Sequence, residues 1–369
     1  MALGVALAQA ERGRRAAKAQ RKRALRFARL PGEPLHEALR RMALGQLDLA
    51  IELLAGEPAG GRAFDPRAIH NTRKALKRLR ALVRLLRAEL GEQRYKREHA
   101  ILRDAARRLA GARDAEVMVA TLDALLERHP RKLGRRPELL DLRERLVAER
   151  AAAELATLGD RATREEVLCE LHGLRERARR WNLPERPGIA LVERDLRRIY
   201  RDGRLRKRRV ARERGAGGTR GKHGGGARAK GDGGTRGKRG GGARGTGAGG
   251  ARGERGGSAR EAHAWRKRVK DLRYAAEILG ARSLARRADR LAELLGEEHD
   301  LVVLAGLLPP PGGAPFKGRR GKRARKALLV RIARRRRRLR RRALREGERV
   351  YGRKPKQFVR RTRRAHKRR

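Results

Sequence analysis

His70-Asn71-Thr72-Arg73-Lys74-Ala75-Leu76-Lys77-Arg78-Leu79-Arg80 and His263-Ala264-Trp265-Arg266-Lys267-Arg268-Val269-Lys270-Asp271-Leu272-Arg273 are two copies of one pattern, H-x-x-R-K-x-x-K-x-x-R, at a constant offset (263 − 70 = 193). An arginine-rich chain matches cations by chance, but it does not by chance head both copies with one of only nine histidines. On a helix of about 3.6 residues per turn, His70, Arg73, Lys74, Lys77 and Arg84 share one face, with Arg80 and Arg87 at its edge. Leu76, Leu79, Val83, Leu86 and Leu90 take the opposite face. The second copy puts His263, Arg266, Lys267 and Lys270 on one side, Arg273 at its edge, and Val269, Leu272, Ala276 and Leu279 on the other. Each copy therefore predicts an amphipathic helix with one stripe for a core and one for charge. From His70 to Arg80 the cations run about 15 Å, a row suited to an extended polyanion.

The 369 residues carry 101 Lys plus Arg against 42 Asp plus Glu, a net charge of +59. Such self-repulsion calls for counter-charge: nucleic acid, polyphosphate or an anionic membrane surface. Arginine dominates lysine, and guanidinium groups bind phosphate oxygens in bidentate fashion. Aromatic residues make up only 3%, which argues against base-stacking platforms. The single cysteine, Cys169, excludes a disulfide framework and a cysteine zinc site, and suits a reducing cytoplasm; it reads as a small buried residue. Met1 to Ala10 lacks the basic start of a signal peptide, and no apolar run is long enough for a membrane span.

Nearly every periodic segment has the helical period and none alternates like a strand, so the fold class is all-α. Residues 1–32 read as a basic, weakly helical extension. Helices are expected from Leu35 to Leu54, from Asp65-Pro66 to Gly91, and from Arg94 to Ala110. Others follow at Arg113–Arg128, Pro137–Leu158, Arg161–Trp181 and Pro187 to about Arg212. Residues 214–257 are Gly, Arg and Lys with almost no apolar side chains, and read as a disordered insertion. It is either a polyanion tether or a low-complexity linker. Beyond it come Arg260–Leu279, Ser283–Leu295, a short helix from Asp300 to Leu308, and Lys326–Val350. The tail, residues 351–369, reads as basic and disordered.

The doubled pattern resembles the CHAD family, the conserved histidine α-helical domain; the second copy, running on to Tyr274, is an especially close match. Leu109-Ala110-Gly111-Ala112-Arg113-Asp114-Ala115-Glu116-Val117 and Leu295-Gly296-Glu297-Glu298-His299-Asp300-Leu301-Val302-Val303 resemble its L-G-x-x-R-D-x-x-V turn, and Leu196 to Arg201 also fits. The resemblance covers residues 33–350 apart from the insertion, with halves at about 33–185 and 186–350. It implies two pseudo-symmetric helical bundles whose basic faces meet at a shared groove or pore. It also implies inorganic polyphosphate as ligand, and location in the cytoplasm at polyphosphate granules. Carried over by residue, the ligand-facing set is His70, Arg73, Lys74, Lys77 and Arg80 with His263, Arg266, Lys267, Lys270 and Arg273. Arg84 joins it from the stripe itself; Glu277 stands at the matching place in the second copy, which is therefore shorter. Ala110 departs from the family's glycine. Some family members carry an upstream triphosphatase domain; about thirty residues without its E-x-E-x-K strand precede the first helix here, so a standalone binding domain is expected.

The two histidines read as donors to phosphate or as structural helix-start residues, since surrounding cations repel metal ions. Those cations favour neutral imidazole. Asp114 and Asp300 read as helix-start caps. The basic helices do not supply the clustered acids that a metal-dependent hydrolase needs, so no enzyme activity, no metal and no cofactor is expected. The competing reading is an RNA- or ribosome-associated basic protein, contacting nucleic acid non-specifically through the insertion and tails.

Overall fold

The computed structural model describes residues 15, 17–56, 66–159, 161–219 and 250–367. Among them there are helices and turns but no strand. The first half contains α1 (Leu35–Ala55), α2 (Pro66–Leu85), α3 (Glu92–Arg108), α4 (Gly111–Arg128), α5 (Pro137–Gly159) and α6 (Arg161–Arg179). The second contains α7 (Glu193–Thr219), α8 (Gly250–Ile278), α9 (Arg282–Leu307), α10 (Gly318–Tyr351) and α11 (Pro355–Lys367).

The first motif lies on α2, whose Pro66 sits where a missing N–H costs nothing. The helix breaks at Leu86, resumes for Arg87–Leu90, and ends at Gly91, whose φ of 76° is open to glycine at little cost. The second motif lies on α8. Packing partners run in parallel in the two halves. α1 packs on α2 and α6, and α2 on α3; α7 packs on α8 and α10, and α8 on α9. α4 lies on α5 as the far end of α9 lies on α10.

Two apolar cores result. The larger joins both halves: Leu39, Met42, Leu76, Leu79 and Leu82 meet Trp265, Val269, Leu272 and Leu291. The smaller gathers Leu122, Leu133 and Leu142 around Leu304, Phe316, Leu328 and Leu339. Each fully buried leucine is worth about 1.5–3 kcal/mol, which is what offsets crowding so many cations on the outer faces.

Several expectations are corrected. The segments Ser283–Leu295 and Asp300–Leu308 are one continuous helix, α9, because Leu291, Leu295, Leu301 and Leu304 keep one buried stripe across the expected break. Asp300 consequently lies mid-helix and not at a helix start. The expected insertion is helical at both ends: α7 runs to Thr219 and α8 starts at Gly250, while residues 220–249 lie outside the described residues. The tail is not disordered over Pro355–Lys367: α11 packs on α7, buries Phe358 and Val359, and stacks the Phe358 ring 3.9 Å from that of Tyr200. The N-terminal extension is helical over residues 17–25 and packs just after: Phe27 is buried edge-on against Tyr274, and Arg41 donates to the carbonyls of Arg23, Arg26 and Ala28. Cys169 is exposed, because it falls on the outer side of α6 between the inward-facing Val167 and Leu171. No helix among the described residues is long and apolar enough to cross a membrane.

Candidate anion-binding face

α2 and α8 pack against each other. Ile69, Leu76 and Leu79 of the first and Trp265, Val269 and Leu272 of the second turn inward, so the charged stripes are forced out. His70, Lys74, Lys77 and Lys267 are exposed; Arg73, Arg80, Arg84, His263, Arg266, Lys270 and Arg273 are half-buried. The copies meet at their lysines: Lys77 and Lys270 lie close enough for each charge to be felt by the other.

The arginines divide by partner. Arg73 donates through Nη1 to the Ala110 carbonyl at 2.9 Å. Arg266 lies against Gly296, where a Cβ would come within 3.1 Å of its Nη2. Ala110 and Gly296 hold matching places in the two L-G-type segments, so each motif arginine braces the segment that follows it. Arg84 is committed to Asp271 and meets His99 Nε2 at 2.7 Å. Arg273 pairs with Asp289 at 2.6 Å and Glu277 at 3.0 Å. These two guanidinium groups are largely neutralised within the protein. Arg80 is not: its buried Nε has no protein partner, and burial followed by the nearby Arg84 charge lowers its pKa.

Lys270 stands apart. Burial first, then Arg266 and Lys77, push its pKa down to about 7, with Asp300 only partly opposing them. No described carboxylate forms an ion pair with it. His263 behaves similarly. Its ring centroid lies 4.1 Å from that of His299 on α9 with the planes tilted by 34°, its Nδ1 is buried without a protein partner, and burial together with His299, Lys267 and Arg266 lowers its pKa to about 4. At neutral pH the imidazole is uncharged, as its cationic neighbours dictate.

Sequence reasoning missed four neighbours of this face: His99, Arg103, Arg268 and His299. Burial, then Arg84 and Arg80, hold His99 at a pKa of about 4, and Arg103 and Arg268 add to the field on both Arg80 and His99. The available signal was the His99/Arg103 spacing on α3, which puts both on the side facing the motif helix. Concavities bordering α10 and α11 take in none of the motif cations.

A family model for the CHAD domain matches residues 45–309, a span holding both motif helices and the whole of α9. The chain belongs to the CHAD family. A comparison with curated proteins gives no match. Among solved structures, the CHAD domain from the plant Ricinus communis is similar at 20% identity and a TM-score of 0.48, over 87% of this chain and 93% of that one. The matched CHAD segment ends just after α9. Yet α10 returns to it through a buried carboxylate: Glu298, 1% exposed, is held by Arg336 and Arg340 at 3.0 and 2.8 Å.

Proposed function

We propose that this CHAD protein binds inorganic polyphosphate, without turning it over, across the face where α2 and α8 meet. Lys270 carries the reading. A half-buried ammonium ringed by Arg266, Lys77 and Arg273, with no carboxylate in ion-pair contact, is costly until an anion arrives. The ligand contacts are His70, Arg73, Lys74, Lys77 and Arg80 from one half and His263, Arg266, Lys267 and Lys270 from the other. Arg84 and Arg273, already paired with acids, supply field and position rather than direct contacts. Family membership supports the choice of polyphosphate, and a row of cations about 15 Å long favours an extended chain over a compact anion.

On this reading the two halves are pseudo-symmetric bundles from an internal duplication, and the groove is their common boundary. No residue is assigned a chemical step: Asp271 and Asp104 are occupied by Arg84 and by Arg103, and Glu277 and Asp289 by Arg273. The cytoplasm, at polyphosphate granules, is the compartment that fits. Thermal unfolding of the full chain tests the proposal. Long-chain polyphosphate should raise Tm well above the effect of orthophosphate at matched phosphate, because only the chain spans both stripes. Equal stabilisation by the two would overturn the shared face. Binding should also survive removal of residues 220–249; its loss would transfer the function to that segment.

A further inference from the structure

A second row of cations lies outside the motif helices. On α7, Arg194, Arg197, Arg198, Arg201 and Arg208 line one exposed side over about four turns. Leu196, Ile199, Tyr200 and Val210 are buried on the other side. The row is about 21 Å long. It does not stand on a convex helix alone. α11 begins beside it, so that Lys356 and the first turn of that helix close a concave surface with the arginines. Free first-turn N–H groups there add donors and the positive end of a helix dipole.

Counter-charge at this surface is sparse: the Arg198 charge is felt by Glu92, but the two form no ion pair. Among the described residues, Arg194, Arg197, Arg198 and Arg208 have no hydrogen-bond or ion-pair partner, and Arg201 makes one exposed contact with Asp202 at 3.5 Å. Asp195, the acid bordering the concavity, is 4% exposed and turned inward to accept the Ala88 N–H at 2.7 Å. The arginine run of α10 is also exposed at Arg334, Arg337, Arg338 and Arg341.

We infer that the α7–α11 concavity binds the phosphate backbone of duplex nucleic acid without regard to sequence. Three features select that ligand. The arginines are exposed and offer guanidinium groups to phosphate oxygens, contacts that position a nucleic acid without reading its sequence. No aromatic residue borders the concavity, so it offers nothing for splayed bases to stack on, which a single strand would need. A straight, rigid row matches a duplex, whose phosphates are held at fixed spacing, better than it matches a flexible chain. The site is independent of the polyphosphate face.

The test uses the full chain, a short random-sequence duplex DNA, the matching single strand and long-chain polyphosphate. Arg194, Arg197, Arg198 and Arg208 are replaced together by Glu, and in a milder variant by Gln should the first fail to fold. A control replaces Arg334, Arg337, Arg338 and Arg341 by Glu, with the same change in net charge. Duplex affinity should fall by about tenfold or more in the α7 variant relative to the control. The slope of log affinity against log salt should flatten by about one for each phosphate that the variant no longer neutralises. The Tm gain from polyphosphate should be unchanged. Equal losses in variant and control would reduce the effect to bulk charge. A matching loss of polyphosphate stabilisation would make the row part of the polyphosphate path. Tighter binding of the single strand would exclude the duplex. Each of these results overturns the inference.

Discussion

The two motif helices carry the same histidine and four cations in the same order, yet their surroundings differ. On α2, His70, Lys74 and Lys77 stand in solvent. On α8, Lys270 and His263 are sheltered, and their pKa values fall to about 7 and about 4. Burial is the first cause at both groups, followed by Arg266 and Lys77 at Lys270 and by His299 at His263, and the next helix shapes these surroundings. In the first half the chain breaks between α3 and α4, at Leu109 and Ala110. In the second, α9 runs straight through the matching place, carries His299 over His263, and sets Asp300 close enough to oppose in part the fall at Lys270. A repeat can thus fix where charges lie while the helix behind it decides which of them are desolvated.

The contrast is sharpest at one motif position. Trp265 is fully buried on α8, and its ring fills the space over Gly347, where a Cβ would come within 2.7 Å of it. The matching residue on α2 (265 − 193 = 72) is Thr72, buried with its hydroxyl unpartnered. Trp265→Ala should cost about 3–5 kcal/mol of stability by denaturant unfolding. A loss under about 1 kcal/mol would mean that α8 does not depend on the indole.

Next in size is ligand binding. Replacing Arg266, Lys267 and Lys270 by Ala should weaken long-chain polyphosphate binding by about 100-fold in titration calorimetry, more than the same change at Arg73, Lys74 and Lys77. Reversed ranking would place the dominant contacts on the exposed stripe. A pH effect follows. The folded chain holds Lys270 near pKa 7 and the unfolded chain near 10.5, so the unfolded state binds more protons between those values. Stability of the free protein should therefore rise with pH across that window. A bound anion restores the ammonium, so binding should take up a proton above pH 7, and affinity should fall by up to about tenfold per pH unit. Lys270→Met should abolish the proton uptake, measured from buffers of different ionisation enthalpy; persistence in that variant would assign it elsewhere. The smallest effect is at Thr72. Thr72→Val removes an unpaired buried hydroxyl and should stabilise by about 1 kcal/mol, whereas a loss would reveal a hydrogen bond made in solution.

The helical class and the outward stripes were legible in the sequence because both rest on periodicity, which leucines such as Leu76, Leu79 and Leu272 report directly. The state of each cation was not, because it depends on where a few carboxylates fall in space. Arg84 and Asp271 are 187 residues apart, and Arg177 reaches across to the fully buried Glu98 at 2.9 Å. Nothing local in the sequence distinguishes Arg84, which is neutralised, from Arg80, which is not. Two boundaries misled for a related reason. Leu295-Gly296 reads as a turn, yet Gly296 stays helical and its missing side chain makes room for Arg266. The tail reads as a solvated charge run, yet two apolar residues, Phe358 and Val359, suffice to seat α11 because Tyr200 offers a flat partner.

The near-neutral pKa of Lys270 has a chemical consequence as well as an electrostatic one. With its pKa pushed down to about 7, Lys270 holds far more of its amine unprotonated near neutral pH than an ordinary lysine does. Lys270 is thus the nucleophile that a dilute acylating or carbonyl reagent should find first. Its labelling rate becomes a reporter of occupancy, high when the face is empty and suppressed once phosphate returns the proton.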